Sequence, residues 1–136
     1  MVTPRFEEVK KFAKDYSVIP ICKEIYADLA TPITLLRRIV RYKKDAFLLE
    51  SIEGGEKWAR YSFLGFDPKA RIYCKDSVVT IEGEGAAVLK TLRPLEVLRE
   101  YMQRYQSPQL DHIPPFTGGL VGYYGYHMIT YSEPAL

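Results

Sequence analysis

The chain has 136 residues, 47% hydrophobic and 26% charged, which suits one ordinary globular domain with a real core and excludes a disordered chain. Nineteen basic and 17 acidic residues leave a net charge of +2, which gives no electrostatic reason to expect nucleic acid or an anionic membrane as partner. No apolar run approaches the roughly 18 to 20 residues of a membrane span, residues 1–8 hold no apolar signal core, and a cytoplasmic protein is expected.

Thr3-Pro4 reads as the cap and first-turn proline of a helix. Glu7 and Glu8 come early and Lys10, Lys11 and Lys14 later, the order the helix dipole favours, with Phe6, Val9, Phe12 and Ala13 as the apolar stripe. Residues 18–25 read as extended, and Pro20, lacking an N–H, places them at a sheet edge or beside a bulge. Thr31-Pro32 repeats the cap signal for a second helix, with Ile33, Leu36, Ile39 and Val40 inward and Arg37, Arg38 and Lys43 outward.

Residues 46–52 read as a strand, 53–56 as a loop, and 59–64 as a strand stopped by Gly65-Phe66-Asp67-Pro68. Residues 70–74 and 78–82 form a hairpin about Lys75-Asp76-Ser77. Pro94 opens a third helix with Leu95, Leu98, Tyr101, Met102 and Tyr105 at helical spacing. A polar, proline-rich connector covers 106–115, and 116–131, mixing glycine with β-branched and aromatic residues, reads as strands. The expected fold is α+β, a mainly antiparallel sheet with helices packed on it. An aromatic strand close to the last residue leaves an open edge, so a truncated chain that self-associates through residues 123–131 is expected.

Most chemical motifs dissolve on inspection. Gly83-Glu84-Gly85 follows a strand, but the third glycine of a dinucleotide loop is missing and Glu84 would face a pyrophosphate; it reads as a hairpin turn. The glycines from Gly118 to Gly125 lack a Gly-Lys-Ser/Thr ending and are no phosphate loop. His112 and His127 have no ligand or triad partner at suitable spacing. The two cysteines, Cys22 and Cys74, lack metal spacing and read as buried free thiols. By its own residues the chain does not read as an enzyme.

The stretch 46–52 says more. Strand alternation puts Phe47, Leu49 and Ser51 on one face and Leu48, Glu50 and Ile52 on the other. Glu50 between apolar neighbours is a partly buried carboxylate that needs a cation. Arg60 on the next strand is one candidate, and the ammonium of a ligand is another.

Four ordered stretches then carry a resemblance. Ala30-Thr31-Pro32-Ile33-Thr34-Leu35-Leu36, Phe47-Leu48-Leu49-Glu50-Ser51-Ile52-Glu53-Gly54-Gly55-Glu56, Arg60-Tyr61-Ser62-Phe63-Leu64-Gly65-Phe66-Asp67-Pro68 and Pro114-Pro115-Phe116-Thr117-Gly118-Gly119-Leu120-Val121-Gly122-Tyr123 together resemble the amino-terminal region of anthranilate synthase component I, a chorismate-utilising enzyme. The likeness runs from about residue 17 onward. Aminodeoxychorismate synthase component I shares much of the pattern, and a free-standing amino-acid-binding module is the alternative from another class.

The resemblance implies that 1–136 form the amino-terminal regulatory domain of an incomplete chorismate-utilising fold. It implies a parent lyase that makes anthranilate and pyruvate from chorismate and ammonia, or glutamine through an amidotransferase subunit (component II), in tryptophan synthesis. The parent's magnesium and chorismate sites would lie in a carboxy-terminal domain outside this sequence. The chain by itself is therefore expected to be inactive and to hold no cofactor. What the resemblance carries over is a feedback site, with Leu49, Glu50 and Ser51 as one wall of a pocket for L-tryptophan. His127 departs from the family's pattern, which usually has aspartate there.

Overall fold

The computed structural model describes residues 2–50, 61–111, 113, 114 and 116–133. Two units divide the chain: Ile25–Arg71, and Met1–Glu24 together with Ile72–Leu136. The expected α+β class stands, with one change. In place of a single sheet, the described residues form three small ones, β1-β2, β3-β4 and β5-β6-β7. Among the described residues no helix is long and apolar enough to cross a membrane.

The larger unit opens with β1 (Val2–Thr3), α1 (Phe6–Phe12) and β2 (Cys22–Lys23). The expected Thr3-Pro4 cap is corrected: Thr3 lies in β1, opposite Cys22, and the helix begins beyond it. Arg5 takes the cap position, where its N–H donates to Glu8 Oε2 at 2.7 Å. A glutamate three residues into a helix reaches back to this otherwise unpaired amide, so Glu8 fixes the start. The extended segment expected over 18–25 narrows to β2, because β1 offers only two residues to pair with. Cys22 and Cys74 are free, as expected, but half-buried rather than buried.

The same unit holds β5 (Ala70–Lys75) from Ile72 onward, β6 (Val78–Gly83), β7 (Ala87–Lys90) and α3 (Pro94–Gln103). Both expected turns are present. Asp76 and Ser77 lie at φ 49° and 61°, the pair of left-handed residues that lets a two-residue loop follow the twist of its strands. Glu84-Gly85 joins β6 to antiparallel β7, with Gly85 at φ 74°. Val79 and Ile81, two apart and so on one face of β6, are buried at 1% and 6% exposure.

Tyr101 on α3 is buried as well, at 5% exposure. Its hydroxyl donates to the Glu84 carbonyl at 2.8 Å, tying helix to turn, and lies 3.0 Å from the Tyr105 hydroxyl. That hydrogen bond with Tyr101, with desolvation adding to it, pushes the Tyr105 phenol up to about 12. Ser17 closes the unit by accepting the Gln106 amide at 2.8 Å and donating to the Arg104 carbonyl at 2.7 Å.

The strands expected over 116–131 are also corrected. Residues 116–125 form no strand, and Tyr126–Tyr131 form a 3-10 helix. A strand needs a partner, and among the described residues none pairs with this glycine-rich stretch. Instead Tyr131 folds back, and its hydroxyl accepts the Ser77 amide at 2.9 Å. The turn's left-handed residue thereby gains a hydrogen bond.

In the smaller unit, Thr31 caps α2 (Pro32–Ile39) as expected, its Oγ1 accepting the Thr34 amide at 3.2 Å. The helix packs on β3 (Ala46–Glu50) and β4 (Ser62–Phe66) with Leu36 and Ile39 half-buried, while Ile33 and Val40 stay exposed. Strand β4 was expected to stop at Gly65 but runs through Phe66, and Asp67 at φ 52° ends it. Gly65 faces Phe47 across the pair, and a Cβ built on it would stand 2.3 Å from the Phe47 ring. The glycine does not break the strand, because an aromatic ring from the neighbour fills the space it leaves.

Two outcomes follow. Gly65→Ala should destabilise the chain by about 1–3 kcal/mol through overpacking, and by clearly less in a Phe47→Leu background, as read by urea unfolding of the four forms. Carbon-13 NMR of labelled tyrosines should show Tyr105 titrating near pH 12. In Tyr101→Phe that titration should fall toward the ordinary value of about 10, with a loss of about 0.5–1.5 kcal/mol of stability.

Candidate functional site

The antiparallel register of β3 on β4 sets the geometry here. Phe47 faces Gly65 and Leu49 faces Phe63 on one side of the pair; Leu48 faces Leu64 and Glu50 faces Ser62 on the other. Tyr61 stacks on Phe63 at 5.9 Å between ring centroids, extending the aromatic side. The alternation expected from the sequence is therefore realised over 46–50.

Glu50 ends β3, and its carboxylate is exposed, not partly buried as expected. Ser62 Oγ donates to Glu50 Oε1 over a long 3.5 Å. Two cations of the smaller unit are engaged elsewhere. Lys43 pairs with Asp67 at 2.6 Å, and Arg71 holds Asp45. Asp45 precedes β3 and Asp67 follows β4, so both pairs sit at the opposite end of the ladder, roughly 17 Å along the strands from Glu50 at 3.4 Å per residue. Ser51 and Arg60, two further residues of the expected site, lie outside the described residues, so the Glu50–Arg60 alternative rests on the sequence. Leu49 is 46% exposed, an apolar side chain that the strand leaves to solvent.

Ser62 is the residue that sequence reading missed. Its signal was the register: once Phe47 is set over Gly65, the residue facing Glu50 must be Ser62. Together Glu50 and Ser62 offer a carboxylate and a hydroxyl at an open strand end. Such a pair accepts an ammonium and donates or accepts at a polar edge.

The other candidates stay structural. Gly83 and Gly85, at φ 95° and 74°, serve the β6–β7 turn. His127 lies exposed in the 3-10 helix, with its carbonyl accepting the Thr130 hydroxyl at 2.8 Å; His112 is outside the described residues. Among the described residues no three His, Cys, Asp or Glu side chains gather as a metal site.

Sequence comparison gives this geometry its context. The chain is homologous to anthranilate synthase component 1 over nearly its whole length. It is 41% identical over 134 residues to the protein of Acetivibrio thermocellus, covering 98% of this chain and 27% of that one. The Acinetobacter calcoaceticus protein is 36% identical over 137 residues (97% and 27%), and that of Pseudomonas aeruginosa 37% over 133 residues (96% and 27%). The chain thus spans about a quarter of the length of the curated relatives it matches. No protein-family model and no solved structure matches it.

If Glu50 serves a ligand and not the fold, Glu50→Gln should change unfolding stability by no more than about 0.5 kcal/mol. A loss of 2 kcal/mol or more in denaturant titrations would make it a structural ion-pair partner instead.

Proposed function

We propose that this chain is the amino-terminal regulatory region of an anthranilate synthase component 1, and that the end of β3 forms one wall of a tryptophan feedback site. In this reading the parent enzyme converts chorismate and ammonia, or glutamine through a component II amidotransferase, to anthranilate and pyruvate. The chain itself supplies regulation and no catalytic residue. The observation that carries the reading is homology to anthranilate synthase component 1 along 98% of the chain.

The geometry at Glu50 supports the regulatory part. A zwitterionic amino acid needs a carboxylate for its ammonium and small polar groups for its edge. Glu50 is exposed at a strand end, and its contact with Ser62 is a long 3.5 Å, so a cation can reach its carboxylate from solvent. The large apolar residues left in water, such as Tyr26 and Leu29 at 97% exposure each, fit a region that works within a larger protein.

The test uses the synthase that contains this chain. Ser51→Arg should raise the tryptophan concentration for half-inhibition roughly 10- to 150-fold, the equivalent of one lost charge-assisted hydrogen bond worth about 1.5–3 kcal/mol. Arginine there would fill the cavity and compete with the ammonium for Glu50, while turnover without tryptophan should persist. Inhibition unchanged in a stable, active variant would place the feedback site elsewhere. Joint loss of activity and thermal stability would make Ser51 a packing residue.

A further inference from the structure

We draw no further inference here: the strongest candidate, the exposed basic patch of Arg37, Arg38, Arg41 and Lys44 at the end of α2 and in the turn that follows it, carries nothing, because nothing in the structure shows what covers it.

Discussion

The Phe47 ring occupies the space that Gly65 leaves on the facing strand, and the arrangement of the candidate site hangs on that contact. In a two-stranded ladder a slip of one residue would send every side chain to the opposite face. A large ring facing a glycine resists such a slip, because any shift removes the ring's space and leaves a gap. With the register held, Glu50 stands opposite Ser62 and Leu49 opposite Phe63. Polar and apolar groups thus fall on opposite sides of one short hairpin, and the ion pairs of Lys43 and Arg71 close its other end.

The larger unit follows a different economy. Apart from prolines, its buried apolar side chains are few, Val79, Ile81 and Tyr101 among the described residues. Hydrogen bonds from hydroxyls therefore carry much of the tertiary connection. Tyr101 joins α3 to the β6–β7 turn, Ser17 joins the stretch after α1 to the end of α3, and Tyr131 joins the 3-10 helix to the β5–β6 turn. Each bond contributes about 1 kcal/mol, so a small core gains definition more than stability from them. The abundance of tyrosine, 11 of 136 residues, is put to use in two of these three ties.

Much of this was legible from the sequence where a local rule decides the outcome. Thr31-Pro32 caps a helix because the threonine hydroxyl reaches the Thr34 amide, whatever lies around it. Asp76-Ser77 and Glu84-Gly85 turn because their neighbours alternate on both sides. Reading failed where a distant partner decides. Thr3 resembles a cap but is drawn into a strand by Cys22, and Gly65 resembles a stop but is covered by Phe47. Residues 116–125 carry strand-like composition without a strand beside them, and composition alone does not supply one. Glu50 was placed correctly on β3 yet found exposed, because burial depends on what covers a strand and alternation reports only its faces. Its hydroxyl neighbour Ser62 emerged only from the register.

In the proposed function the carboxylate at the end of β3 receives the ammonium of a feedback amino acid. A crystal structure of the synthase containing this chain, grown with L-tryptophan, tests it most directly. The amino acid should lie at the end of β3, its ammonium within hydrogen-bond distance of the Glu50 carboxylate, about 2.7–3.2 Å. Tryptophan bound at a site that Glu50, Ser51 and Leu49 do not touch would contradict it.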